Sequence, residues 1–118
     1  MTARCVSLFM AATMALPTVV LANSERELAM EAYERSHYAE SVSLLKRAAE
    51  DNDGRAQEML GFMLLHGSAL YGSAVPQDPA MARHWLQKAA SQGSGAALHV
   101  LQKISRAAQR VSENITRP

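Results

Sequence analysis

Two neighbouring stretches decide the fold: AQEMLGFMLLHG at residues 56–67 and VPQDPAMARHWLQKAASQG at residues 75–93. In both, apolar residues recur three and four positions apart, which places their side chains on one face of an α-helix. The first stretch carries this spacing at Ala56, Met59, Leu60, Met63 and Leu64. The second carries it at Ala82, Trp85, Leu86, Ala89 and Ala90. Each stretch therefore predicts one amphipathic helix.

Residues that cap helices stand at the ends of these stretches. Asp78 precedes a proline, and a capping carboxylate followed by proline at the first helical position is a strong start signal. Gly67 and Gly93 follow the last apolar positions, where glycine adopts the left-handed cap conformation at little cost. Further upstream, Ser24 and Glu27 have the spacing of a capping box and predict the start of an earlier helix.

The chain also repeats itself. Residues 38–63 align without gaps on residues 79–104, an offset of 41 positions, with seven identities in 26. The alignment predicts repeated two-helix units, with five helices in all and no strand. In the last helix, which starts near residue 95, the inward positions are Ala97, Val100, Leu101, Ile104, Ala108 and Val111. The predicted fold is all-α, with a helical domain over residues 23–111 and a flexible tail over residues 112–118.

Residues 1–22 have the layout of a cleaved signal peptide. One base, Arg4, precedes the apolar run at residues 6–16, and Pro17 interrupts that run. Val20-Leu21-Ala22 then places small or β-branched residues at the expected cleavage site before Asn23. The alternatives are an uncleaved anchor or a buried helix, but residues 6–22 are short for a membrane span. Cleavage leaves 96 residues with a net charge of zero and removes Cys5, the only cysteine. We therefore expect a periplasmic or secreted protein with no disulfide and no stable membrane span.

The helical stretches resemble the Sel-one-like repeat, a relative of the tetratricopeptide repeat. The first-helix markers of that family are matched by Ala56, Gln57, Leu60 and Gly61. The turn markers are matched by Val75, Pro76 and Asp78, and the second-helix markers by Ala82, Trp85, Lys88, Ala89 and Ala90. The resemblance covers about residues 28–104 and implies a short right-handed α-solenoid of about two repeats plus a capping helix.

The sequence departs from the family pattern in two places. The segment SALYGSA at residues 68–74 is longer than the usual turn between the two helices of a repeat. Gln102 stands where the family places a small glycine, and Lys103 follows it. A polar terminal helix is what stops a solenoid from stacking further. The last helix is therefore predicted to be a cap.

Several classes of function are disfavoured. A chain of 118 residues is too short for a Rossmann or barrel enzyme, and 12 Lys+Arg against 11 Asp+Glu argue against a nucleic-acid binder. The four histidines lack metal-ligand spacing on one helix, although His84 and His99 could approach each other in the stacked fold. Ser43 and Lys46 have a Ser-x-x-Lys spacing without the supporting motifs of acyl enzymes. We predict no catalytic site, no metal and no cofactor.

The resemblance implies which residues contact a partner. In similar solenoids the first helix of each pair lines the concave surface. The binding candidates are therefore Arg55, Gln57, Glu58, Phe62 and His66, together with Tyr71 in the insertion. For Tyr71 two arrangements remain open: an exposed anchor for a partner, or a side chain folded back over the core next to Trp85.

Charge is divided unevenly along the chain. Residues 23–60 hold nine acids and five bases, and residues 61–118 hold two acids and six bases, so the halves carry −4 and +4. Because a solenoid orders its sequence along its axis, this predicts a charge difference between its ends. Such a field would steer an acidic partner or favour head-to-tail self-association. The alternative is that these charges are ordinary surface charges and that their uneven distribution has no role in binding.

Together these features predict an exported, non-catalytic interaction module of the bacterial envelope that binds a protein or peptide. The first alternative is a hydrolase of cell-wall material or β-lactams, as suggested for disulfide-rich relatives; the exported chain lacks their cysteines. The second alternative is a self-assembling structural protein of the envelope.

Overall fold

The computed structural model describes residues 24–118, of which 82% are helical, with no strand among them. Its helices are α1 (Glu25–Glu34), α2 (Tyr38–Glu50), α3 (Gly54–His66), α4 (Ser68–Tyr71), α5 (Pro79–Ser91) and α6 (Gly95–Thr116). The all-α prediction is confirmed. The predicted signal peptide lies outside the described residues. Within residues 24–118, no helix combines the length and apolar character that crossing a membrane requires.

The predicted helix caps are present. At the start of α1, the Ser24 hydroxyl accepts a hydrogen bond from the Glu27 N–H at 3.3 Å, and the Glu27 carboxylate accepts one from the Ser24 N–H at 3.1 Å. At the start of α5, the Asp78 carboxylate accepts from the Met81 N–H at 3.0 Å. Gly67 ends α3 with a φ of 48°, and a Cβ there would collide with the backbone of Gln77. Local sequence chemistry therefore sets these helix boundaries.

The helices pack as a short solenoid. Helix α1 packs on α2 and α3 packs on α5, while α2 also contacts α3 and α5 also contacts α6. One apolar core spans both pairs, and its largest fully buried members are Leu45, Leu60, Met63 and Val75. A smaller cluster of Leu86, Ala89 and Ala97 joins α5 to α6. The arrangement confirms a helical-repeat solenoid of two pairs followed by a further helix.

A glycine allows α3 and α5 to approach closely. A Cβ built on Gly61 would lie 2.6 Å from Leu86 Cγ and 3.3 Å from the Ala82 carbonyl oxygen. Leu86 and Ala82 are themselves fully buried. The family-marker glycine is therefore required by packing between the two helices of one repeat.

Gln57 lies in the core, and its assignment as a partner-binding residue needs correction. Its side chain is 0% exposed, so it cannot contact a partner in this conformation. Its Nε2 donates to the Ala49 carbonyl at 3.1 Å, and its Oε1 accepts from Gln92 Nε2 at 2.9 Å. The amide therefore joins α3 to the ends of α2 and α5. Periodicity did not reveal this role, since a glutamine beside an apolar stripe usually lies at the surface.

Helix α6 extends beyond the helix on which it packs. It has 22 residues and α5 has 13, so α6 is about 13 Å longer at 1.5 Å per residue. Ala108 and Val111 were predicted to face inward, but both are exposed. That prediction was wrong because helical periodicity continues whether or not a neighbouring helix is present. The helix also includes residues 112–116, beyond the predicted domain end, and the flexibility of residues 112–118 stays a prediction.

Candidate functional site

A groove runs along α1 and α3 and is bounded at one end by the inserted segment, residues 68–74. At that end, a cavity of about 290 Å³ has almost entirely apolar walls. Its walls are formed by Tyr33, Met59, Phe62, Met63, His66, Leu70 and Tyr71. We refer to this part as the apolar end of the groove.

Two further cavities continue the groove towards the start of α3. The first, of about 340 Å³, shares Met59 with the apolar end and adds Met30, Arg26, Arg55 and Glu58. The second, of about 560 Å³, shares both arginines and Glu58, and reaches the first turn of α6 at Gly95. Shared wall residues make the three cavities one continuous surface. We refer to the part around Arg26, Arg55 and Glu58 as the charged end.

The inserted segment is attached to the solenoid through three tyrosines. The ring of Tyr71 lies edge-on to Tyr33 and Tyr38, with centroid distances of 5.9 and 5.0 Å, and its hydroxyl is 3.4 Å from that of Tyr33. Burial, together with the hydrogen bond to Tyr33, raises the pKa of Tyr71 well above its ordinary value. Tyr71 thus folds back onto the core, but it packs on these tyrosines rather than on Trp85. The neighbouring Leu70 remains 62% exposed at the rim of the groove.

The segment itself is not an irregular turn. Residues 68–71 form the short helix α4, and Gly72–Ala74 form one turn of 3₁₀ helix. Val75, which follows at once, is fully buried and belongs to the same core as Leu60. The segment is therefore held at its middle by Tyr71 and just after its end by Val75, and it forms a wall of the groove.

At the charged end, the acids and Arg26 are held by other groups, while Arg55 is less constrained. Asp53 caps α3 by accepting from the N–H groups of Arg55 and Ala56 at 3.0 and 3.1 Å. Glu58 accepts from the Ser94 hydroxyl at 2.6 Å, and its side chain is only 16% exposed. Arg55 is 76% exposed and reaches Glu58 at 3.9 Å only. Arg26 is 38% exposed and donates to the Asp53 carboxylate at 3.4 Å. The charged end therefore offers the guanidinium group of Arg55 to a partner more readily than Arg26 or the carboxylates.

Five of the six predicted binding residues line this groove, and Gln57 is the exception. Sequence reasoning missed Arg26, Met30 and Tyr33, which supply the α1 wall. These three residues are spaced by four and then three positions, so they share one face of α1. Only the neighbouring apolar face of α1, which carries Ala29 and Ala32, was considered from the sequence.

The other candidate chemical sites lie outside the groove. Ser43 and Lys46 are exposed on α2 and line none of its cavities. His84 packs edge-on against Trp85 at 5.0 Å, and Lys88 Nζ lies 5.2 Å from the centre of the same ring. In residues 24–118 no group of three or more His, Cys, Asp or Glu side chains is placed to hold a metal ion.

The helix pairs coincide with matches to a family model. The model, described as Sel1 repeat, matches residues 23–53 and again residues 54–94, which together make up more than half of the chain. The chain belongs to the Sel1 repeat family. The first Sel1 repeat holds α1 and α2, the second holds α3 to α5, and α6 lies beyond both. Sel1 repeats generally mediate protein–protein interaction. No curated protein and no solved structure matches the chain.

Proposed function

We propose that this Sel1 repeat protein is a non-catalytic adaptor that binds a segment of another protein in the groove along α1 and α3. The observation that carries the proposal is the continuity of the groove, which has apolar walls at one end and exposed arginine at the other. An apolar surface rimmed by polar residues is typical of an interaction site. Sel1 repeats serve this kind of function in general.

The two ends of the groove define the chemistry of the ligand. Phe62, Leu70 and Met59 suit an aliphatic or aromatic anchor, because aromatic side chains supply contact area and methionine adapts to irregular shapes. Arg55 suits a carboxylate, which a guanidinium group can bind through two parallel hydrogen bonds, whereas Arg26 already pairs with Asp53. The ligand class is therefore a peptide segment with an apolar anchor and an acidic group.

The proposal includes export to the bacterial envelope, with residues 1–22 removed and the adaptor periplasmic or secreted. Its support is the sequence layout of these residues: one base, an apolar run, a proline and small residues before Asn23. The test is the mass and the N-terminal sequence of the protein recovered from the cell envelope fraction. A product beginning at Asn23 is the expected result, and recovery of the intact chain from the cytoplasm would reject export.

The groove is tested by site-specific crosslinking in intact cells. A photoreactive residue at position 70, in the groove, should capture a protein that the same residue at position 81 does not. Met81 is the matched control because it is an exposed apolar residue, 44% exposed, on α5. Equal capture at both positions, or none at either, would reject the groove as the binding site.

The captured segment then allows affinity to be measured. We expect Phe62→Ala to weaken binding about tenfold or more, since truncating a central aromatic hot spot commonly costs about 2 kcal/mol or more. Arg55→Ala should weaken binding and reduce its dependence on salt concentration, whereas Arg83→Ala on α5 should do neither. Binding that is insensitive to Phe62→Ala and Arg55→Ala alike would contradict the assigned ligand chemistry.

A further inference from the structure

Helix α6 carries one continuous apolar stripe that is covered only along its first half. The stripe repeats at alternating intervals of four and three residues, through Ala97, Leu101, Ile104, Ala108, Val111 and Ile115. Its first half packs on α5. In its second half, Val111 is 60% exposed and Ile115 is 78% exposed. This spacing is the one that helices use to pack along each other, so the projecting half is shaped for a further partner.

The charge of α6 indicates which kind of partner fits. Residues 95–118 hold the bases Lys103, Arg106, Arg110 and Arg117 against one acid, Glu113, for a net charge of +3. Within the described chain none of these four bases takes part in an ion pair. Two copies of α6 placed face to face would bring +3 against +3. An acidic surface with apolar groups at its centre is the better complement.

The opposite end of the molecule offers such a surface. A cavity of about 180 Å³ lies between α1 and α2, with no wall residue from α3, α5 or α6. Its apolar wall residues are Leu28, Ala32 and Leu44, and its polar wall residues are Glu31, Arg35, His37 and Glu40. Glu31 pairs with Arg35 at 2.6 Å, so the acidic character of this surface comes from Glu40 and from the excess of acids in α1 and α2. Leu28 is 39% exposed. Residues 24–53 hold eight acids and four bases, a net charge of −4.

We propose that the projecting half of α6 docks between α1 and α2 of a second copy of the chain, so that molecules associate head to tail. The opposite net charges of the two ends and the apolar groups on both surfaces carry the proposal. A contact between two different surfaces leaves one of each unoccupied in a dimer, so it adds further copies to form open chains or closed rings. The groove proposed for the adaptor function stays open in each copy, because it lies on the face of α1 that carries Arg26, Met30 and Tyr33 rather than on the face that carries Leu28.

The proposal predicts how the mass of the purified protein depends on conditions. In sedimentation experiments at low ionic strength the average mass should rise with protein concentration. It should fall again in 0.5 M salt, where charges more than about 5 Å apart are screened. A wild-type protein that remains monomeric at all concentrations and at low salt would overturn the proposal.

Two blocked variants distinguish head-to-tail contact from symmetric pairing. Val111→Asp blocks the α6 stripe, and Leu28→Asp blocks the groove between α1 and α2. Each variant alone should be monomeric. An equimolar mixture should form a 1:1 dimer and nothing larger. The intact α6 stripe of Leu28→Asp can dock between α1 and α2 of Val111→Asp, and neither molecule then has a second intact surface. If Leu28→Asp still dimerises while Val111→Asp does not, α6 pairs with α6 and the proposal is wrong.

Control variants distinguish a loss of docking from a loss of folded structure and from a general effect of added negative charge. Gln109→Asp adds the same charge on a side of α6 away from the stripe, and it should oligomerise like the wild type. Ile115→Asp provides a second block of the stripe at a more exposed position. Circular dichroism should show unchanged helix content in every variant. Oligomers that survive both Val111→Asp and Ile115→Asp would exclude the stripe from the contact.

Discussion

Replacing Gly61 with alanine tests the close packing within the second repeat. The added Cβ would lie 2.6 Å from Leu86 Cγ and 2.8 Å from its Cδ2, where ordinary carbon contacts are about 3.5–4.0 Å. Leu86 is fully buried, so the two helices must separate by about 1 Å. Overpacking of this kind costs about 1–3 kcal/mol, and the gain in helix propensity offsets about 1 kcal/mol. Because the contact is severe, we expect a net loss of about 1–2 kcal/mol.

Urea and thermal unfolding measure this loss. For a domain of this size the melting temperature should fall by about 5–15 °C. Gly95→Ala is the matched control, since nothing lies within 4 Å of a Cβ at that position, and it should be neutral or stabilising. Leu86→Ala should lower the free energy of unfolding less in the Gly61→Ala background than in the wild type. It removes the side-chain atoms that collide with the new Cβ at position 61. Equal or greater stability of Gly61→Ala relative to wild type would refute the packing argument.

Three further predictions concern buried or capping side chains. Gln57→Leu should lower the free energy of unfolding by about 1–2 kcal/mol, because it removes two hydrogen bonds of a buried amide; an unchanged urea midpoint would speak against this role. Asp78→Ala should cost about 1 kcal/mol by removing the acceptor of the Met81 N–H, whereas Asp78→Asn should retain most of the stability; equal melting temperatures of the two variants would contradict the cap. Tyr71 keeps its proton in the folded state to higher pH than in the unfolded chain, so stability should fall as pH rises above about 10. Tyr71→Phe should make the melting temperature less dependent on pH in that range, and identical profiles for both proteins would show that Tyr71 does not contribute.

The helices and their ends were predictable because their determinants are local. The capping box at Ser24, the Asp78 cap and the positive φ of Gly67 each depend on a few consecutive residues. The apolar stripes of α3 and α5 likewise face the core as predicted. Helical period and capping chemistry were enough for these features, since neither requires knowledge of distant parts of the chain.

The failures concern contacts between distant residues. Val111 continues the apolar stripe of α6 as regularly as Leu101 does. Leu101 is half-buried because it packs beside α5, whereas Val111 is exposed because it lies past the start of α5. Gln57 is polar but buried, because the ends of α2 and α5 supply partners for its amide. Tyr71 packs on tyrosines that lie 33 and 38 positions upstream. The candidate groove was therefore predicted from α3 and Tyr71 alone, and its α1 wall emerged only with the structure.

The Gln57 amide has a consequence for the curvature of the array. By joining α3 to the last turns of α2 and α5, it restricts the rotation of one repeat relative to the next. At the offset of 41 residues, the matching position in α6 is Leu98, which cannot make these hydrogen bonds. The relative orientation of the two repeats is therefore supported by buried hydrogen bonds as well as by the apolar core that spans both helix pairs. We expect a change at the buried Gln57 to affect the groove through Gln92, whose side chain donates to Gln57 and lines the charged end.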